Sequence, residues 1–174
     1  MQRFLPAFAA LGLAVAPLAA RADDAVKPIS LGTIKAWTAY TANEKSTMVC
    51  YVVGHPTKSL PANATRGRVD VQVTHRPGEK ALNVVNFDLG YTAKPGSSAE
   101  LEIDGKKFVF FTNKESAWAS DAATDKVVAN TLAKGKQAII KAASDHGTNT
   151  IDTYALAGFG QALALADKAC NVKR

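Results

Sequence analysis

The sequence has 174 residues, a formal net charge of +6 and 47% hydrophobic residues. Its 21 lysines and arginines are scattered along the chain, whereas a nucleic-acid-binding protein usually gathers them into one basic stripe. The three histidines lack HxH or HxxxH spacing, and the two cysteines do not form a CxxC pair. The composition therefore argues against a nucleic-acid partner and against a metal centre.

The first 22 residues have the pattern of a secretory signal peptide. Arg3 gives a basic start, residues 4–19 form an uncharged apolar run, and residues 20–22 match the small-x-small cleavage pattern. The run is shorter than the roughly 20 apolar residues that a membrane-spanning helix needs. We predict cleavage between Ala22 and Asp23, which removes two arginines, lowers the net charge to +4 and leaves no transmembrane segment.

The rest of the chain is predicted to form one domain. Residues 23–30 (DDAVKPIS) form a polar lead-in, and a single domain is expected over residues 31–174. A chain of about 150 residues buries roughly two-thirds of its surface when it folds around one hydrophobic core. One domain therefore accounts for the whole exported chain.

Apolar and polar residues alternate with period two along much of this domain, which predicts strands with one buried face. In RVDVQVTH (68–75), Val71 and Val73 point one way and Gln72 points the other. In LEIDGKKFVFF, Asp104-Gly105 is typical of a type I′ hairpin turn between two strands. Further strands are predicted at 35–41, 48–53, 83–91, 137–143 and 150–156. Seven or eight short strands predict a mainly β fold, namely a β-sandwich.

One or two short helices interrupt the strands. The first is predicted at 121–135, with Asp121 as N-cap and Gly135 just after its end. Its apolar stripe is predicted to contain Val127, Val128 and Leu132. The second is predicted at 158–170, where one face carries Phe159, Leu163, Ala166 and Cys170. This spacing predicts that Cys170 points into the protein.

The two cysteines are predicted to form a disulfide. Cys50 lies in an early predicted strand and Cys170 lies at the end of the last predicted helix. An exported chain with two cysteines most often pairs them, and the bond would fasten the C-terminal helix to the early strand. The alternative that the residues leave open is two free thiols.

An ordered set of short motifs carries a family resemblance. In chain order they are WTAYT (37–41), CY (50–51), PTK (56–58), RG (66–67), VTHRPGE (73–79), GY (90–91), EIDGKKFVFFT (102–112), AW (117–118), KG (134–135) and DTYALAGFGQALALADKAC (152–170). With these motifs the chain resembles the invasion-associated locus B family of alphaproteobacterial envelope proteins. The resemblance implies an immunoglobulin-like β-sandwich, export, and a link to host-cell entry in pathogen members. The chain departs from the family pattern at SDHGT (144–148), where a basic residue is expected before Gly147.

The sequence indicates no catalytic residue and no cofactor. Ser144, Asp145 and His146 are adjacent, but a catalytic triad needs its histidine placed in space between the other two side chains. A polar turn is the better interpretation of these three residues. Trp37 and Trp118 are candidate binding aromatics, with packing in the core as the alternative.

These observations predict an exported, non-catalytic envelope protein that binds a macromolecular partner, namely an envelope or host protein. The predicted location is the periplasm, and attachment to the outer membrane or exposure at the cell surface is left open. The alternatives are a periplasmic module that binds a small ligand and a hydrolase assembled from distant residues. Oligomeric state and the identity of the partner are not indicated by the sequence.

Overall fold

The computed structural model describes residues 27–174, so the predicted signal peptide and its cleavage point between Ala22 and Asp23 lie outside the described residues. The described residues form eleven strands, one short 3₁₀ turn and two α-helices. The strands are β1 (Ile29–Ile34), β2 (Trp37–Glu44), β3 (Thr47–Gly54), β4 (Lys58–Leu60), β5 (Asp70–Arg76), β6 (Ala81–Asp88), β7 (Ser98–Ile103), β8 (Lys106–Asn113), β9 (Ser116–Trp118), β10 (Gln137–Ala143) and β11 (Asn149–Ala155). The helices are α1 (Ala122–Lys134) and α2 (Phe159–Ala169), and the 3₁₀ turn is Pro77–Glu79. The predicted mainly β class is confirmed.

All eleven strands belong to one antiparallel sheet, in the order β1-β2-β3-β5-β6-β9-β8-β7-β10-β11-β4. The sheet folds over, because strands that are far apart in this order meet through their side chains. The indole of Trp37 on β2 donates a hydrogen bond to the carbonyl oxygen of Ala155 on β11, at 3.0 Å. The rings of Phe87 on β6 and Tyr154 on β11 pack edge to face, with centroids 5.7 Å apart. The two layers of the sandwich are therefore two halves of one sheet.

The core fills the space between these halves, and its residues follow from strand alternation. Val52, Val73 and Val85 stand side by side on β3, β5 and β6, and each is fully buried. Phe87 continues this inner face and packs against Phe110 on β8, with ring centroids 5.6 Å apart. Burying such side chains contributes about 1.5–3 kcal/mol each.

The hairpin turn and both ends of the first helix lie where the sequence predicts them. Asp104 and Gly105 both have positive φ, at 47° and 88°, as a type I′ turn requires. The Asp121 carboxylate accepts a hydrogen bond from the backbone N–H of Thr124 at 2.8 Å and caps α1. Gly135 follows α1 with an ordinary φ of −79°, so a left-handed conformation is not its role. Glycine is needed there for space, since a Cβ would come within 2.9 Å of side-chain atoms of its neighbours.

The inner face of α1 differs in one residue from the predicted stripe. Val128 and Leu132 are buried as expected, but Val127 is 44% exposed, so its predicted place in the stripe is wrong. Asp125 points inward instead and accepts a hydrogen bond from the backbone N–H of Val85 at 2.8 Å. Strand β9 is too short to reach Val85, so this carboxylate satisfies a strand N–H that would otherwise be unpaired.

The second helix is fastened to the sheet by the predicted disulfide. Phe159, Leu163 and Ala166 are buried, which confirms the predicted inner face of α2. Cys170 follows the helix and is bonded to Cys50 on β3, across 120 residues of sequence. Neither cysteine is a free thiol. The bond joins an early strand to the C-terminal helix.

A buried charged cluster lies beside this disulfide. Asn83 donates its backbone N–H to Nδ1 of His75 at 3.0 Å, so the ring proton of the neutral histidine lies on Nε2. That Nε2 is 3.0 Å from the carboxylate of Asp167 on α2. Arg174 also binds Asp167, with Nε–O and Nη2–O distances of 2.6 and 3.0 Å. The contact between His75 and Asp167 therefore ties α2 to β5, while the disulfide ties the end of the same helix to β3.

Replacing both cysteines with alanine should lower the free energy of unfolding by about 2–5 kcal/mol, because the bond closes a long loop in the unfolded chain. Urea unfolding of wild-type and Cys50→Ala/Cys170→Ala protein measures this difference. Wild-type protein unfolded in a reducing agent is the control and should match the variant. An unfolding free energy that reduction leaves unchanged would contradict the structural role of the bond.

The stability contributed by Asp167 should disappear in acid. Burial acts to raise the pKa of Asp167, but hydrogen bonds from His75 and Arg174 outweigh it and hold the pKa below the ordinary value of 3.8. A carboxyl group with a lowered pKa stabilises the fold above its unfolded-state pKa, and this contribution is lost as pH falls through the folded-state pKa. Asp167→Asn should therefore be less stable than wild type at neutral pH, by about 1–3 kcal/mol.

The difference between the two proteins should narrow as pH falls below the ordinary value of 3.8, and it should be smallest once the folded wild-type carboxylate has also taken up a proton. Urea unfolding at a series of pH values tests this expectation. A difference between wild type and Asp167→Asn that stays constant from neutral pH into acid would show that the charge of Asp167 is unimportant.

Candidate functional site

The two candidate binding aromatics lie in different environments. Trp37 is 1% exposed and packs edge to face on Phe159, with ring centroids 4.7 Å apart. Its ring also covers Gly54, where a Cβ would lie 2.5 Å from the indole. Trp37 is thus part of the core, as in the packing alternative, whereas Trp118 is half-buried on the outer face of β9.

The residues considered for hydrolytic chemistry do not converge. His55 is exposed and its Nδ1 lies 3.0 Å from the carbonyl oxygen of Val69, while His75 is buried beside the disulfide. His146 has a side chain that is 91% exposed. Ser144 Oγ accepts the backbone N–H of Thr148 at 3.1 Å, which places this hydroxyl in the predicted polar turn. Within residues 27–174, no group of three or more histidine, cysteine or acidic side chains is arranged to hold a metal ion.

Three loops meet at one end of the sandwich and enclose a cavity of about 330 Å³, which we call the end cleft. The loops span residues 61–69, 89–97 and 144–148. Backbone hydrogen bonds join them: Gly67 donates to Gly90 at 2.8 Å, and Asp145 donates to Thr92 at 2.9 Å. The polar lining of the end cleft includes Asn63, Thr65, Tyr91, Ser144, Thr148 and Thr150. The loops that form it are therefore held in place by one another.

A buried ion pair lies beneath the end cleft. The guanidinium of Arg66 contacts both carboxylate oxygens of Asp152 at 2.7 Å, and the two side chains are 7% and 1% exposed. Arg66 also donates to the carbonyl oxygen of Leu89 from Nε and Nη2, at 2.9 and 2.6 Å. Burial acts to lower the pKa of Arg66, but the hydrogen bonds and charge of Asp152 raise it above its ordinary value. The pair therefore stays ionised and has no net charge.

Tyr91 forms an aromatic wall of the same cleft. The guanidinium of Arg66 lies 5.1 Å from the centre of its ring, within the range of a cation–π contact. Its hydroxyl lies 2.6 Å from Oγ1 of Thr150. Burial raises the pKa of Tyr91, so the phenol is protonated at neutral pH. The end cleft is consequently lined by neutral polar groups around a neutralised ion pair.

A second surface lies on the outer face of β8 and β9. Val109 and Phe111 are 69% and 49% exposed, and Phe111 stands directly opposite Trp118. We call these three residues the outer strip. Strand alternation explains them, because the inward positions of β8 belong to Phe108 and Phe110.

Charged residues border the outer strip on one side. Glu100 stands opposite Val109 on β7 and lies 3.2 Å from Lys107 and 3.6 Å from Lys141. Hydrogen bonding and charge from these lysines hold the pKa of Glu100 below its ordinary value. The outer strip is therefore apolar, with a border that carries both signs of charge.

A family model for the Invasion associated locus B (IalB) protein matches residues 37–167. This chain belongs to the IalB family. The match runs from Trp37 on β2 to Asp167 on α2, so it contains every strand except β1, together with the end cleft and the outer strip. Comparisons with curated proteins and with solved structures find no match.

Membership of the IalB family confirms the resemblance that the ordered motifs carry. The expected link between an early strand and the C-terminal helix is present as the Cys50–Cys170 bond. Across residues 27–174, no helix combines the length and apolar character needed to cross a membrane.

The sequence pointed to Trp118 of the outer strip as a candidate binding aromatic, but not to Val109 or Phe111, and it did not point to the end cleft. The outer strip had a usable signal, because KKFVFF (106–111) has large apolar residues on both faces of one strand. The RG, GY and SDHGT motifs contain residues of the end cleft, but their spacing does not show that the folded sheet brings these three loops together.

Removing Arg66 should destabilise the protein strongly. Arg66→Ala leaves the Asp152 carboxylate buried without its partner, which costs about 3–5 kcal/mol. The matched control is Arg76→Ala, which breaks the half-exposed ion pair with Glu44 and should cost less than about 1 kcal/mol. Urea unfolding of both variants gives the two values. Equal losses would mean that burial does not decide the strength of the Arg66–Asp152 pair.

Proposed function

We propose that this IalB-family protein is exported to the periplasm, is non-catalytic, and binds an envelope or host protein through the outer strip. The observation that carries the proposal is the exposure of Val109 and Phe111 beside Trp118. Large exposed apolar groups that adjoin one another are uncommon on monomeric soluble proteins and mark interaction surfaces. Aromatic residues are also enriched where such surfaces bind most strongly.

The surroundings of the outer strip favour a protein as its partner. Strand β8 is paired on both sides, with β7 and β9, so its backbone groups are not available for adding another strand. Recognition there depends on side chains. The border pairs Glu100 with two lysines, whereas a nucleic acid or an anionic membrane would require unneutralised cations. A protein surface with an apolar centre and mixed charges is complementary to this arrangement.

Export is supported by the predicted signal peptide and by the disulfide. Disulfides persist in oxidising compartments such as the bacterial periplasm and are rare in the cytosol. The absence of catalysis is supported by family membership and by the separation of the histidines. A role in host-cell entry is the further proposal that the family name invites, with a host protein as the partner.

A photo-crosslinking amino acid placed at position 111 in living cells tests the proposed surface. The expected result is one discrete adduct with another protein, also obtained from position 109. The matched control is position 48, because Met48 is 47% exposed but lies outside the outer strip, and it should give no such adduct. An adduct with a second copy of this chain, or the same products from all three positions, would overturn the proposal.

Phe111→Ala should then weaken binding of the purified partner by about 2 kcal/mol, which is roughly thirtyfold in Kd. The side chain is 49% exposed, so the free energy of unfolding should change little. Calorimetric titration measures the affinity, with Met48→Ala as the control. An unchanged affinity for Phe111→Ala would remove the outer strip from the interface.

A further inference from the structure

We infer that the end cleft is a binding site for a neutral, hydroxyl-rich small molecule, namely a saccharide unit. This inference goes beyond the proposed function and does not depend on it, because the cleft and the outer strip share no residue. It is carried by three properties of the end cleft, which are its preformed shape, its neutral charge and its set of polar groups.

The shape is preformed. Hydrogen bonds between the three loops fix them relative to one another, and the backbone N–H of Lys94 adds a further bond to the carbonyl oxygen of Ala143 at 2.9 Å. A cavity of about 330 Å³ falls at the lower end of the volumes typical of small-molecule sites. A pocket of this size accepts one or two sugar rings. Because the loops are already ordered, little conformational entropy is lost when a ligand binds.

The charge of the end cleft selects against ions. The positive charge of Arg66 is neutralised by Asp152, and both carboxylate oxygens are already bound. An anion would therefore find no unpaired cation at the base, and a metal ion would find no available carboxylate there. Four of the five guanidinium N–H groups are used, by Asp152 and by Leu89. One N–H on Nη1 is left to donate to a ligand oxygen.

The polar groups match a ligand that has many hydroxyls. Thr65 and Thr148 each offer a hydroxyl that both donates and accepts, and Asn63 adds an amide that does the same. His146 extends this set at the exposed rim. Tyr91, Pro61 and Ala64 add apolar surface for the C–H groups of a sugar ring. Few apolar ligands would satisfy so many hydroxyl and amide groups.

Titration of ¹⁵N-labelled, oxidised protein with glucose, N-acetylglucosamine and chitobiose at millimolar concentration tests the inference by NMR. At least one of these neutral sugars should produce saturable shifts of amide signals in residues 63–66 and 146–148. Glucose 6-phosphate should bind no more tightly than glucose, because the cleft offers no unpaired cation. Vesicles containing lipopolysaccharide form a second arm, which distinguishes a free sugar from a membrane glycan as the source of the unit.

The variant His146→Ala/Thr148→Val should weaken saccharide binding about tenfold, the loss expected from one or two hydrogen bonds. Both side chains are exposed, so the fold should be retained. The matched control is Thr33→Val, which makes the same threonine-to-valine change at an exposed position outside the cleft and should bind as wild type does.

Three results would overturn the inference. They are the absence of cleft shifts with every free sugar and with the vesicles, tighter binding of glucose 6-phosphate than of glucose, and equal affinity in the cleft variant and the control. None of them bears on the outer strip, whose crosslinks at positions 109 and 111 report on other residues. Failure of one proposal is thus distinguishable from failure of the other.

Discussion

The folding of one sheet onto itself depends on the burial of Trp37 between its two halves. The indole fills the space above Gly54, packs on Phe159 of α2, and donates its N–H to Ala155 on β11. A single side chain thereby joins the first half of the sheet, the second half and the C-terminal helix. Because any Cβ at position 54 would collide with the ring, the glycine and the tryptophan act as one unit. The buried apolar side chains on the inner faces of the sheet pack around this tryptophan.

The buried carboxylates discussed above each stabilise the fold by binding another group of the protein. Asp152 is bound by Arg66, Asp167 is bound by Arg174 and His75, and Asp125 accepts a strand N–H. Each carboxylate satisfies a group that would be costly to leave unpaired in the core. A general acid or base needs a proton that it exchanges with a substrate at a reachable position. These side chains are instead bound to other parts of the fold: a loop, a neighbouring strand or the C-terminal residue. This agrees with the non-catalytic role proposed for the chain.

Local patterns in the sequence predicted much of the fold because local physics decides it. Alternation located the main strands, Asp104-Gly105 located a hairpin, and Asp121 located the start of α1. The short strands β4 and β9 were not predicted, because a strand of three residues is too short to show the alternation of apolar and polar residues. Strand β1 begins at Ile29, within the stretch predicted as a lead-in, because pairing with β2 orders it and its Leu31 and Ile34 pack against the core. Asp125, and not Val127, faces inward on α1 because its carboxylate accepts the backbone N–H of Val85, which has no strand partner. The hydrophobic pattern of a helix carries no information about such an N–H. The end cleft depends on the same kind of long-range contact, so the RG, GY and SDHGT motifs that contribute residues to it did not reveal it.

The two proposed surfaces differ because the sheet and its loops differ. The outer strip lies where β8 is paired with a strand on each side, so it presents side chains alone. Such a surface suits a large partner, because a protein can cover apolar side chains that a small molecule would leave partly exposed to water. At the end of the sandwich the strands stop, and loops bonded to one another leave a concave space. Concave sites bury most of a small ligand and orient it with a few polar groups. The outer face of the sheet therefore presents side chains suited to a protein partner, and the end of the sandwich presents a cavity suited to a small ligand.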